Sequence, residues 1–417
     1  MREFVFDSMG TGKTKRALDL MPRDKLTLII CPASVITTTW VPQIQLWAHD
    51  THISVVTGKT YSIPSGTHYL VCSYNQTGKL PPKLSGFNLI VDESHYVKTV
   101  RSNRHKAVAA LSRRADNVFM LTGTPTPKDL EDIYGQVAVL YPQKKVRVET
   151  LGFDFNSLTM FRQSFGTPKI IHLGVQTVTK WEYSDDMSRL VAERISSHVL
   201  ARRSLTLKQP EHVWVQSHKT SQEMVALKKW ENDWQLSDEV YADTASAKAN
   251  KLAQLDDGFA YKNEQNGDFV TFGSSKIEAI SQVVSSESPL LVWVRFKATV
   301  LRVRDMFGDK AVNLHSLISH GRLSDVPNYR VVYANPSSSG TGVDGLQKYL
   351  YKQLWVDLPW TAADYEQANA RLIRRGQTGQ PEIYVVKTVW NERVMHVIQG
   401  RAKLDEIIKQ PLTKEIL

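Results

Sequence analysis

A chain of 417 residues is long enough for roughly two or three domains, each able to bury its own core. With 42% hydrophobic and 23% charged residues it is not a disordered or low-complexity chain, and no apolar run is long enough to span a bilayer. The formal net charge of +10 and pI near 9.3 point to a polyanionic partner.

The opening MREFVFD lacks the pattern of a signal peptide, so a cytoplasmic protein is expected. Cys31 and Cys72 sit in apolar, strand-like runs and read as buried reduced thiols. The positive charge is spread along the chain, with clusters at Lys144-Lys145-Val146-Arg147, at Arg202-Arg203 and from Arg371 to Arg375, and no basic tail. That distribution predicts a folded basic groove.

Over residues 1–152, strand-like and helix-like segments alternate. EFVFD leads into Gly10-Thr11-Gly12-Lys13-Thr14 and a helix. LTLIICP, a helix from Trp40 to Trp47, HISVVTG, HYLVCS, FNLIVDE, a helix over 103–111 and NVFMLTGTP follow. The alternation predicts an α/β domain, a mostly parallel sheet with helices on both faces. In such sheets chemistry collects at the carboxyl ends of the strands, and the polar motifs fall there.

The glycine loop departs from the full phosphate-loop pattern, because Asp7 stands where the first glycine belongs. Its place between strand and helix still suits a triphosphate. Backbone N–H groups wrap the phosphates, the helix N-terminus adds a favourable dipole, and Lys13 neutralises the terminal phosphates. Thr14 and Asp92 are the candidate Mg2+ ligands, and Glu93 the candidate for orienting and deprotonating the attacking water.

Residues 153–272 lose the alternation and read as a helical linker or insert. Helices are expected over 185–200, after the Thr220/Glu223 capping box, and over 242–255. Arg202 and Arg203 suit a phosphate backbone, a solvated basic face or an interlobe salt bridge. Trp181, Trp214, Trp230 and Trp234 read as core and interface residues.

Alternation resumes over 273–417. LLVWV is a strand running into Arg295-Phe296-Lys297, and AVNLH, YRVVYAN, KQLWVD and EIYVVK are further strands. There is no second glycine-loop lysine, so this lobe is expected to supply parts to the first lobe's site. One such part is the small-residue stretch from Asn335 to Asp344, which allows close backbone approach. Another is Gln367-Ala368-Asn369-Ala370-Arg371-Leu372-Ile373-Arg374-Arg375-Gly376-Gln377, whose Arg371 and Arg374 are placed three apart on one helical face. Two guanidiniums presented together suit the charge on a transferring phosphoryl group.

Taken together the motifs resemble one family. Asp92-Glu93-Ser94-His95 looks like the DEAH-type box of superfamily-two helicases, and Leu121-Thr122-Gly123-Thr124-Pro125 is similar to the LTGTP motif of their Swi/Snf-type branch. Pro32-Ala33-Ser34-Val35 resembles motif Ia, and Cys72-Ser73-Tyr74-Asn75 sits where motif Ib would fall. The string from Gln367 to Gln377 matches motif VI, and Gly340, Gly342 and Asp344 fit motif V.

The resemblance implies two RecA-like lobes holding ATP and Mg2+ between them, with nucleic acid lying across both. Lys13, Glu93, Gln367, Arg371 and Arg374 would be catalytic, and Gly10, Thr11, Gly12, Lys13, Thr14 and Asp344 would bind nucleotide. Pro32, Ser34, Ser73, Thr122, Thr124, Arg202, Phe296, Gly340 and Gly342 would contact nucleic acid or couple it to turnover. The expected activity is an ATP-dependent DNA helicase or translocase. An RNA helicase and an ATP-gated DNA-binding module with little turnover are the alternatives. No membrane partner is expected, and no protein partner is legible. The family's adenine-recognition segment would lie upstream of the glycine loop, where only nine residues stand, so looser base selectivity is expected. The compact size resembles a phage or mobile-element version, working in a bacterial or phage-infected host cell.

Overall fold

The apolar runs form strands covered on both faces, which is why they are continuous rather than alternating. In the first sheet, Phe4, Leu28, Ile30, Leu89 and Val91 face one core, while Val5, Ile29, Cys31 and Ile90 face another. The computed structural model describes residues 1–58, 61–173, 176–200, 210–237, 239–242, 244–263, 267–285, 288–336, 345–374 and 376–409. Two compact units are present, Met1–Thr206 with Gln399–Leu417, and Leu207–Ile398.

The first unit holds strands β1 (Arg2–Val5), β2 (Thr27–Cys31), β3 (Ile53–Val55), β4 (Tyr69–Ser73), β5 (Phe87–Asp92) and β6 (Ala115–Leu121). They form one parallel sheet in the order β1-β6-β5-β2-β4-β3. Helices Lys13–Leu20, Asn103–Ser112 and Glu131–Leu140 belong to this unit. A hairpin of β7 (Thr167–Leu173) and β8 (Gln176–Glu182) follows. The helix Asp185–Ile195, capped by Ser184, then returns Val191, Ala192 and Ile195 to the core. Leu200 N–H donates to Phe4 O, so the chain pairs once more beside β1 before leaving the unit.

The second unit contains β9 (His212–Gln216), β10 (Gln235–Ser237), β11 (Val240–Tyr241), β12 (Phe259–Asn263), β13 (Asp268–Thr271), β14 (Leu290–Trp293), β15 (Ala311–Asn313), β16 (Val331–Ala334), β17 (Lys352–Trp355) and β18 (Glu382–Lys387). Six of them form a second parallel sheet in the order β15-β16-β14-β17-β18-β9. The α/β class with two parallel-sheet, RecA-like lobes is therefore borne out. The middle stretch carries the expected helices, Ser221–Asp233 with its Thr220/Glu223 capping box and Ala245–Asp256. It also carries short hairpins, and β9 joins the second sheet as an edge strand.

One buried cluster braces the second unit. Lys276, fully buried, lies 2.8–2.9 Å from Asp256, Asp257 and Asp357. Thr388 and Thr299 hydroxyls donate to Asp256 and Asp257. Burial and the neighbouring Asp357 charge push the Asp257 carboxyl up to about 8. Among the described residues no helix is long and apolar enough to cross a membrane. Cys31 and Cys72 are free and buried, and burial pushes both thiols up.

Candidate active site

The motif-bearing loops of the first unit all leave the carboxyl ends of its parallel strands, where strand geometry leaves room for a ligand. After β1 the chain turns through Gly10 (φ 73°) and Gly12 (φ 88°), both in the left-handed region that glycine enters without strain. Gly12 is the N-cap of helix Lys13–Leu20 and offers no side-chain cap, so backbone N–H groups head the helix. Lys13 Nζ donates to Asp7 O at 3.0 Å and Ser8 O at 3.4 Å, folding the ammonium back over the loop. Asp7 is buried and accepts from Arg16 Nη1 through both oxygens at 2.9 Å. That ion pair gives a structural reason for the acid in a glycine position: it ties the loop's base to the helix it opens.

Register brings the next two loops together. Asp92 pairs with Leu121, so the residues that follow, Glu93 and Thr122, leave the sheet beside one another. His95 Nδ1 lies 3.2 Å from Thr122 Oγ1 and 3.4 Å from Glu93 Oε2. Thr122 Oγ1 also accepts from Thr124 N–H at 3.1 Å, and both threonines are buried. A Cβ on Gly123 would meet the Met9 side chain at 3.1 Å and Lys13 Nζ at 3.3 Å. The glycine loop, the acid pair and the LTGTP loop thus converge on one point.

Asp92 is held from two sides. Trp40 Nε1 donates to its Oδ2 at 2.8 Å, and Glu93 N–H donates to its Oδ1 at 3.0 Å. Desolvation, then the Glu93 charge, pushes its carboxyl up to about 6, against Trp40 and Lys13. An enclosed acid whose charge is this poorly solvated matches a divalent cation, and the Thr14 hydroxyl is the second donor expected there. The donor set, hard oxygens beside a phosphate loop, therefore fits Mg2+ with ATP.

Glu93 itself has φ 50°, ψ 54°, a left-handed conformation costing a non-glycine residue about 1 kcal/mol or more. Tyr74 clamps the turn, its hydroxyl donating to Asp92 O at 2.5 Å and approaching Glu93 O at 3.3 Å. Burial and the two acids push the Tyr74 phenol well up, so it stays a donor. Behind the box, Ser94 donates to Gln136 Oε1 at 2.8 Å, and Gln136 Nε2 donates to Pro125 O at 2.7 Å. The helix bearing Gln136 packs so closely that a Cβ on Gly135 would fall 1.7 Å from Lys98 O.

Pro32 and Ser34 follow β2, with Ser34 exposed, whereas Ser73 at the end of β4 is only 6% exposed. Phe296 is 8% exposed and packs edge-on against Phe259, with the Arg295 guanidinium 5.0 Å from its ring. Arg147 is buried and donates to Tyr141 O, Phe155 O and Asn156 O, so it does not belong to a solvent-facing basic groove. Arg202, Arg203, Gly340, Gly342, Asp344 and Arg375 lie outside the described residues.

In the second unit the motif VI string departs from the helical expectation. Its helix, Ala362–Asn369, contains the buried Gln367 but ends before Arg371. Leu372 and Ile373 are buried, and Asn369 Oδ1 accepts from Trp355 Nε1 at 3.1 Å, so the chain is drawn inward and turns. Arg371 and Arg374, both partly exposed, are carried on this turn rather than on one helical face. Gln377 fixes the turn's exit, donating to Leu350 O at 3.0 Å and Leu372 O at 2.7 Å.

His95 and Tyr74 lie inside motif stretches that gave them no role of their own, Trp40 only opens a predicted helix, and Gln136 lies outside every motif. Their contacts span up to 52 residues, which spacing along the chain does not reveal.

The profile of the SNF2-related domain matches residues 4–256. The SWI/SNF-related matrix-associated actin-dependent regulator of chromatin subfamily A-like protein 1 of Xenopus tropicalis is 22% identical over 437 residues, 97% of this chain and 42% of that protein. This chain therefore spans less than half of that relative's length. Protein p41 of Acyrthosiphon pisum secondary endosymbiont phage 1 is 24% identical over 445 residues, 98% of this chain and 91% of its own. The mouse DNA annealing helicase and endonuclease ZRANB3 is 31% identical over 157 residues, 34% of this chain and 15% of that protein. The Sulfolobus solfataricus SWI2/SNF2 ATPase core in complex with dsDNA is 18% identical, with a TM-score of 0.42 over 98% of this chain and 88% of that one.

Proposed function

Because the chain belongs to the SNF2-related domain family, we propose that it is an ATP-dependent DNA helicase or translocase. The observation that carries this reading is the convergence of three loops on one point: Lys13 beside Gly123, and His95 bridging Glu93 and Thr122. The glycine loop and the head of helix Lys13–Leu20 take the triphosphate through backbone N–H groups, and Lys13 neutralises its terminal phosphates. Thr14 and Asp92 hold Mg2+, which supplies charge neutralisation at the phosphoryl oxygens. Glu93, aimed by its left-handed turn, orients a water and takes its proton. Gln367, Arg371 and Arg374, contributed by the second unit, stabilise the charge that develops on the transferred phosphoryl group.

The output is motion along DNA. The excess of positive charge makes binding to a phosphate backbone salt-dependent, and the named activity of the mouse relative favours DNA over RNA as the track. His95 offers a link by which the state of Glu93 reaches the LTGTP loop, where Thr122 and Thr124 couple turnover to the strand. Phosphate release measured with duplex DNA, single-stranded DNA and RNA tests the reading. Stimulation by DNA is expected; turnover indifferent to all three polymers would overturn the translocase, and stimulation by RNA alone would change the track.

A further inference from the structure

At the amino ends of the first sheet, away from every motif described above, three metal-ligating side chains meet. His52 immediately precedes β3 and His68 immediately precedes β4, while Asp50 lies two residues before His52. Their donor atoms all lie within 4.8 Å of one another. His52 Nδ1 is 3.1 Å from Asp50 Oδ1 and His68 Nδ1 is 2.7 Å from Asp50 Oδ2, so each carboxylate oxygen faces one imidazole. The rings stand 4.6 Å apart at 43°.

The backbone holds these groups in place. His52 O accepts from the N–H groups of His68 at 2.9 Å and Tyr69 at 3.1 Å, and Thr27 N–H donates to His68 O at 2.9 Å. Asp50 Oδ1 accepts from His52 N–H at 2.8 Å, which orients the carboxylate. Ligands set on mutually bonded backbone lose little freedom when an ion arrives.

We propose that Asp50, His52 and His68 form a second cation site, for a borderline divalent ion such as Zn2+, with water completing the coordination. Two imidazoles and one carboxylate suit Zn2+, whereas Mg2+ takes oxygen donors. Ligands at about 2.0–2.1 Å in a tetrahedron stand about 3.3 Å apart, and the three donor atoms lie within 4.8 Å of one another, so rotation of the two imidazoles brings them to that spacing. The imidazoles are exposed enough, at 61% and 57%, to make that adjustment and to leave room for water. Among the described residues β3 is the edge strand of its sheet and pairs with β4. The ion joins the start of β3 to the start of β4 and closes the chain between residues 52 and 68, stabilising the fold because it binds the folded form. It takes no part in turnover, since the candidate nucleotide residues sit at the opposite ends of the strands.

The test uses the full chain, stripped with a chelator and held in excess Mg2+ so that the Thr14/Asp92 pair does not contribute. Titration with Zn2+ by calorimetry is expected to show one equivalent bound and a raised melting temperature. His52→Ala and His68→Ala, both at exposed positions, are expected to weaken binding at least tenfold, abolish the melting shift and leave ATP turnover unchanged. With Co2+ as probe, the wild-type chain is expected to give intense tetrahedral absorption bands that the two variants lack. Absence of a stoichiometric Zn2+ equivalent in the wild type, or binding unchanged in both variants, would overturn the site.

Discussion

His95 Nδ1 stands 3.2 Å from Thr122 Oγ1, and this contact ties the acid-bearing end of β5 to the buried loop after β6. The same imidazole lies 3.4 Å from Glu93 Oε2. One side chain therefore touches both the proposed base and the proposed coupling loop. The arrangement predicts that damage to Glu93 will be felt in turnover first and in nucleotide binding least.

Glu93→Gln keeps the shape of the side chain and the clamp from Tyr74, which acts on backbone carbonyls. It removes the negative charge and with it the capacity to take a proton. Turnover should fall at least about a hundredfold, the lower end of what a positioned general base contributes. ATP affinity should stay within a few-fold of wild type in an equilibrium binding assay. A variant that turns over normally would remove Glu93 from the chemistry.

Asp92 makes a prediction about pH. Its carboxyl is pushed up to about 6 from an ordinary value of 3.8, so ionisation costs the fold stability. That cost is absent below pH 4, grows as pH rises between 4 and 6, and is complete above 6. Asp92→Asn retains one oxygen for Trp40 Nε1, gives up the acceptor that Glu93 N–H uses, and removes the ionisation cost. Without nucleotide, the stability of the variant relative to wild type should be higher at pH 7.5 than near pH 4, by an amount on the order of 3 kcal/mol at most. Denaturant melts at the two pH values read the difference. The same variant should lose the stabilisation that Mg-ATP gives the wild type.

Arg374→Ala separates two roles. If the guanidinium stabilises charge on the transferred phosphoryl group, ATP binding survives and turnover stops, as single-turnover kinetics would show. Equal loss of both would assign Arg374 to the fold of its turn.

Much of the site could be read from sequence because its signals are local. A glycine loop between strand and helix, or two acids at the end of FNLIV, needs only neighbours along the chain. The sheets were legible for the same reason, since strands buried on both faces are continuous apolar runs. What stayed hidden depends on distant partners. Trp40 reaches Asp92 across 52 residues, and Lys276 reaches Asp357 across 81. Motif spacing placed Arg371 and Arg374 on a helix, but the burial of Leu372 and Ile373 between them bends the chain away. Arg147 stands in a basic run typical of surface charge, yet its guanidinium is buried and donates to three carbonyls. The edge strand β9 has a burial pattern too mixed to stand out from the loops around it.

Lys276→Met tests the buried cluster of the second unit. The substitution conserves bulk but leaves Asp256, Asp257 and Asp357 facing one another without their shared cation. Breaking a buried charge cluster by removing one partner costs about 3–5 kcal/mol. Chemical denaturation should show a loss of that size. A loss below about 1 kcal/mol would mean that protons on the carboxylates replace the lysine.

Movement along DNA is the proposed output of the Glu93 site. It is tested most directly by displacement of a roadblock, a third strand on duplex DNA or streptavidin on a biotinylated single strand. Displacement by the wild type is expected to need ATP and Mg2+ and to be absent with Glu93→Gln. ATP turnover stimulated by DNA, with no displacement beyond the Glu93→Gln level on either substrate, would contradict it.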